Sequence, residues 1–128
     1  MPSLFYPALA NTIANLPFAA ISTERLQLLD EMAVYLQEKI SNRKEIRLNF
    51  ICTHNSRRSQ FSQIWAQTAA AYYGIDANCY SGGVEVTAFN PRAVAAIQRD
   101  GFKVVKKEGE NPLYFVFYSE EEDPIVTF

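Results

Sequence analysis

The residues from Ile46 onward predict an α/β domain built on a parallel sheet. Three observations carry that class. Ile46 to Cys52 alternates and then runs apolar, as a strand entering a buried sheet does. A polar stretch over 53–58 then leads into a helical pattern over 59–73, where Phe61, Ile64, Trp65, Thr68, Ala69 and Tyr72 share one side and Gly74 supplies a left-handed stop. A short strand over 77–81 runs into Gly82-Gly83, and Asn90-Pro91 starts another helix with a capping side chain and a first-turn proline. Strand, loop, helix, strand, helix is the order of a parallel α/β unit.

The flanking segments read differently. Residues 8–16 predict a short helix that ends at Pro17, because a proline disfavours helix in the residue before it. Ser22 or Thr23 caps a longer helix with Glu24 in its first turn. Along it Leu26, Leu29, Ala33, Leu36 and Ile40 form one apolar stripe, while Gln27, Asp30, Glu31, Gln37 and Glu38 fill much of the rest. The simplest expectation packs that stripe on the chain's own domain; the other makes it a docking face for a second chain. Residues 1–45 are thus expected to form an N-terminal helical extension, and residues 46–128 the α/β domain. The helix opened by Asn90 should run to about Asp100 and stop at Gly101. The tail has two strand-like runs, 113–118 and 125–128, joined by an acidic linker that suggests a hairpin.

Composition narrows the function classes. The chain has 128 residues, a net charge of -2 and 48% hydrophobic residues. A chain of that length buries roughly two-thirds of the surface its unfolded form exposes, so it needs no disulfide or metal staple. Its acidic balance argues against a nucleic-acid partner, and no apolar run is long enough to span a membrane. The first seven residues lack a basic start and carry two prolines, unlike a signal peptide. Two cysteines, Cys52 and Cys79, are too few for a secreted disulfide framework, so reduced thiols and a cytoplasmic location are expected. One His and scattered acids suggest neither a metal site nor a cofactor.

Chemistry concentrates in Cys52-Thr53-His54-Asn55-Ser56-Arg57-Arg58-Ser59, between a strand end and a helix start. A tight loop there can turn successive backbone N–H groups inward, and the helix adds its unpaired first-turn donors and positive dipole end. Arg58 offers a planar fork for two oxygens of a tetrahedral oxyanion. Cys52 lies at the base of that cradle, where the same field stabilises a thiolate and lowers its pKa below about 8.5. Ser59 can donate to the sulfur, and Asn55 tolerates the left-handed backbone of a tight loop. The glycines and lysine of a nucleotide-binding phosphate loop are absent. A buried, inert Cys beside a surface Arg pair is the competing explanation.

The run Phe50-Ile51-Cys52-Thr53-His54-Asn55-Ser56-Arg57-Arg58-Ser59-Gln60 closely resembles the phosphate-binding loop of low-molecular-weight protein tyrosine phosphatases and of the thioredoxin-coupled arsenate reductases sharing their fold. The similarity continues through Tyr80-Ser81-Gly82-Gly83 and Asn90-Pro91-Arg92-Ala93, roughly half the chain. It implies a flavodoxin-like, three-layer fold of the phosphotyrosine-phosphatase-I type. It further implies Cys52 as nucleophile, Arg58 on the equatorial oxygens and Ser59 holding the thiolate. Asn55 would fix the loop, and the backbone amides of Thr53, His54, Asn55, Ser56, Arg57 and Arg58 would complete the oxyanion site. The expected ligand is phosphate, arsenate or phosphotyrosine.

The chain also departs from the pattern. The family's general acid is an Asp followed by Pro, and the one such pair here, Asp123-Pro124, lies only 71 positions after Cys52. Asp123 is therefore the candidate acid, with a solvated turn as the plainer alternative. Family members continue with another strand, the acid loop and a last helix. A C-terminally incomplete fold is expected, or a homodimer or partner chain completing the sheet. Reductases also use later cysteines, whereas Cys79 reads as a small buried residue. Arg57 widens the positive field or faces solvent, and His54 is a specificity or solvent-facing residue. The leading expectation is hydrolysis of phosphate monoesters through a cysteinyl phosphate. Arsenate reduction is the alternative on the same fold, and a non-catalytic oxyanion-binding module the alternative from another class.

Overall fold

The computed structural model describes residues 4–85, 88–108 and 112–127. In chain order it comprises α1 (Pro7–Ala14), a 3-10 turn (Phe18–Ala20), α2 (Thr23–Ser41), β1 (Ile46–Cys52), α3 (Arg58–Tyr73), β2 (Ala77–Gly83), α4 (Pro91–Arg99), β3 (Lys103–Lys107), β4 (Leu113–Phe117) and β5 (Ile125–Thr127). The local signals act as expected. Ser22 Oγ accepts from Arg25 N at the start of α2, and Asn90 Oδ1 accepts from Arg92 N at the start of α4. Gly74 ends α3 at φ 68°.

β1 and β2 pair in parallel from Ile46 with Ala77 to Cys52 with Gly83. The crossover between them is α3, as a parallel pair requires. Strands β3, β4 and β5 form a separate antiparallel sheet in that order. β3 was not expected from the sequence. Its link to β4 is far shorter than the dozen or more residues a parallel crossover needs, so the pair must run antiparallel. The expected tail hairpin is the β4–β5 pair; residue 128 lies outside the described residues. Among the described residues the fold is therefore α/β with a two-stranded parallel sheet, and the remaining strands there are antiparallel.

The outer edge of β2 is closed by side chains of α3. Gln67 Nε2 donates to Ala77 O and its Oε1 accepts from Cys79 N. Gln63 Nε2 donates to Cys79 O and to Val126 O, and Ser81 Oγ lies 3.2 Å from Thr127 Oγ1. Gln63 and the Ser81–Thr127 pair thus tie the two sheets together. These amides satisfy backbone groups that a neighbouring strand would otherwise take.

Two expectations about residues 1–45 need correction. The first is the boundary after residue 45. Leu9 is fully buried in one core with Ile64, Phe89, Ile97, Phe102, Tyr114 and Val116, so α1 belongs to the domain rather than to an extension. Tyr6 N donates to Tyr118 O, and Thr12 Oγ1 donates to Asp100 O at 2.8 Å. Gly101, at φ 110°, lets α1 approach, because a Cβ there would lie 2.2 Å from Leu9 N. The second correction concerns α2, whose stripe does not pack on its own domain. None of its residues is buried. Only a small cluster of Ile46, Ala70 and Ala77 meets it, enough to half-cover Leu36.

Leu9→Ala should therefore cost about 2–5 kcal/mol in urea unfolding, the range for emptying a packed core site. A cost below about 0.5 kcal/mol, the level of an ordinary surface change, would make α1 an appendage.

Candidate active site

Cys52 ends β1, and its loop reaches α3 at Arg58. The loop is held from outside by its carbonyls. Val84 N donates to Cys52 O, Glu85 N to Thr53 O and Asn90 N to Ser56 O. Gln60, fully buried, donates from Nε2 to Asn55 O. A peptide's N–H and C=O point in opposite directions, so carbonyls held outward leave N–H groups facing in. Holding Asn55 O outward thus turns the Ser56 N–H inward, and the backbone N–H groups of Asn55 and Ser59 join it on Cys52 Sγ. Asn55 makes the turn at φ 48°.

The sulfur's strongest single partner is Ser59. Its Oγ lies 3.2 Å from Sγ, and together with the three amides it outweighs burial and lowers the thiol pKa from 9.0 to about 6. Cys52 is then mostly thiolate at pH 7. Ser59 Oγ also lies 2.7 Å from Asn55 Oδ1 and 3.1 Å from Gln60 Oε1. A hydroxyl has one proton to donate. With the sulfur ionised, that proton belongs to the charged acceptor, and a neighbouring amide can serve Oγ by turning its NH₂ toward it. No side chain caps α3, so its first-turn N–H groups remain available to the cup.

Gly83 closes the cup from the β2 side. A Cβ there would meet Asn55 N at 2.6 Å, Asn55 Cβ at 2.9 Å and the His54 carbonyl carbon at 3.0 Å. Any side chain at 83 would push the loop away.

The structure gathers some expected residues and separates others. Asn55 and Ser59 form the buried floor, and Cys52 and Ser56 are half-buried beside them. Thr53, His54, Arg57 and Arg58 are exposed at the rim, with Arg58 as the first residue of α3. His54 Nδ1 lies 3.6 Å from Glu85 Oε2. Asp123 is not brought to the sulfur. It lines a cleft of about 400 Å³ with Gln63, Asn78 and Tyr80. Tyr80 is three residues along β2 from Gly83, the register partner of Cys52, which is about 10 Å of strand. The acidic tail follows β4 into the antiparallel sheet, and this carries Asp123 to the other end of β2. The expectation of Asp123 as the acid is accordingly corrected. Cys79 pairs in register with Leu48, four residues from Cys52 on β1, and burial pushes its thiol up to about 11. Its sulfur is neither near nor activated.

Sequence reasoning missed the residues that brace the loop. Gln60 and Gly83 stood inside the resembling segments but carried no assigned role, and backbone donors such as Val84 N leave no trace in residue type.

Alkylation of Cys52 by iodoacetamide should show a midpoint near pH 6, since the thiolate is the reacting form. Ser59→Ala should move the midpoint up by a unit or more, because the hydroxyl is the largest cause of the lowered value. Gly83→Ala should do the same with Ser59 intact, by displacing Asn55. A midpoint of about 8.5 in the unaltered chain would remove the activated sulfur.

Residues 47–111 match the family described as low molecular weight phosphotyrosine protein phosphatase. Curated relatives carry the name arsenate reductase. One from Staphylococcus aureus (strain bovine RF122) is 42% identical over 55 residues, covering 43% of this chain and 40% of the relative. One from Bacillus licheniformis is 36% identical over 61 residues, covering 48% and 42%. One from Bacillus cereus is 34% identical over 71 residues, covering 56% and 49%. The chain thus spans less than half the length of these relatives in the matched stretch. No solved structure matches it. The matched residues hold the whole cup and both segments that brace it, and the chain belongs to the low molecular weight phosphotyrosine protein phosphatase family.

Proposed function

We propose that this chain carries out cysteine-dependent chemistry on a tetrahedral oxyanion, hydrolysing phosphate monoesters through a cysteinyl phosphate. The observation that carries this reading is the convergence of three backbone N–H groups and Ser59 Oγ on Cys52 Sγ. Donors arranged this way stabilise a thiolate before substrate arrives and stabilise charge on the equatorial oxygens once phosphorus is bound. Sγ attacks phosphorus, the phosphorus–oxygen bond to the leaving group breaks, and the leaving oxygen takes a proton. Water then attacks the cysteinyl phosphate, the sulfur–phosphorus bond breaks, and phosphate departs while Ser59 receives the returning thiolate. Arg58, exposed at the rim, swings its fork onto two equatorial oxygens. No residue is assigned as the acid that protonates the leaving group. A reducing, cytoplasmic setting suits a thiolate that must stay unoxidised.

Arsenate reduction is the second reading, favoured by the printed names of the relatives. Arsenate has the same tetrahedral shape and charge, so the cup serves it equally. The later steps need a thiol to attack the arsenic–cysteine adduct. Cys79 cannot supply it from its place four residues down the sheet.

Para-nitrophenyl phosphate separates these readings, since its good leaving group needs little help from an acid. Turnover at pH 6–7 is expected, abolished by Cys52→Ser and reduced by roughly a hundredfold in Arg58→Lys, the scale for losing an oxyanion donor. Arsenate-dependent thioredoxin oxidation without ester turnover would establish the second reading instead. Phosphate protection of Cys52 from alkylation with neither activity would leave an oxyanion-binding module.

A further inference from the structure

We propose that α2 pairs with the α2 of a second copy of this chain in a parallel, two-stranded coiled coil. The helix has 19 residues and buries none of them. Leu26 is 47% exposed, Leu29 44% and Ile40 44%, and Ala33 between them is exposed as well. Positions 26, 29, 33, 36 and 40 alternate steps of three and four. Their mean of 3.5 keeps a seam facing a partner helix, whereas a helix lying on a globular surface needs a broader face. The residues the body half-covers are Met32, Leu36 and Lys39. Met32 and Lys39 lie on one flank of the seam and Leu36 on the seam itself, so the domain holds α2 by that side and leaves Leu26, Leu29, Ala33 and Ile40 exposed.

Charge selects both the occupant and its direction. In heptad terms Arg25 and Asp30 flank the seam on opposite sides of its first layers. In a parallel pair, Arg25 of one copy faces Asp30 of the other, and two-fold symmetry makes that contact twice. The antiparallel pair that superposes Leu26 on Leu36 sets Arg25 against Lys39 and Asp30 against Asp30. Like charges then meet at both ends. The parallel pair of identical helices therefore satisfies the apolar seam and its flanking charges together. A helix of this length is about 28 Å long, under three heptads, so the association is weak and reversible.

Sedimentation velocity of the full chain from about 1 to about 200 μM should show a monomer giving way to a dimer. Leu29→Glu places charge on the seam without touching the core. It should raise the dissociation constant at least about tenfold, with the far-UV spectrum and melting temperature unchanged. Arg25→Asp should weaken the dimer, and Arg25→Asp with Asp30→Arg should restore it; this arm needs no change to an apolar residue. A chain that stays monomeric across the range overturns the proposal, as does one that dimerises undisturbed by Leu29→Glu. The latter would point to an open sheet edge as the contact. Failure of the charge exchange to restore association overturns the parallel pairing.

Discussion

The orientation of the peptide groups between Cys52 and Ser59 is the constraint on which the site depends. Each peptide carries a donor on one side and an acceptor on the other, so the loop can face the sulfur with donors only if its acceptors are satisfied elsewhere. The structure meets that condition from three directions. Val84 and Glu85 extend the β2 edge onto the carbonyls of Cys52 and Thr53. Asn90, the cap of α4, takes the carbonyl of Ser56. Gln60 takes that of Asn55 from inside α3. The lowered thiol pKa follows from the donors that face the sulfur, Ser59 Oγ first and then the N–H groups of Ser59, Asn55 and Ser56, because a group surrounded by donors is favoured in its charged form even where burial opposes it.

This dependence explains why so much of the fold serves a short loop. β1 and β2 pair in parallel with Cys52 opposite Gly83, which brings the β2 exit directly against the loop. Gly83 has no side chain because Asn55 occupies the space. Asn55 accepts a left-handed backbone there, and its buried amide is held by Ser59. The same register leaves Cys79 far from the site as an inert core thiol, while the turn to an antiparallel sheet after α4 carries Asp123 away from it.

The two N-terminal helices have opposite fates for a packing reason. α1 meets a receptive surface: Gly101 offers a bare backbone, Asp100 a free carbonyl for Thr12, and the apolar sides of α3 and α4 a place for Leu9. α2 reaches only the small patch around Ile46 and Ala77. An amphipathic pattern states that a face needs cover, and says nothing about which molecule supplies it.

The sequence by itself determined the local elements and the chemical character of the loop. Ser22, Gly74 and Asn90 set helix ends through their own side chains or lack of one, and Cys52 followed by Arg58 and Ser59 marks an oxyanion site by residue type alone. Tertiary structure alone decided which distant groups reach that loop. The braces are mostly backbone N–H groups, which every residue but proline possesses, so no letter of the sequence announces them. It also decided that Asp123 lies with β2's far end and that α1, not α2, enters the core. Both outcomes depend on strand direction and on competition for a limited apolar surface, which are properties of the assembled chain rather than of any segment.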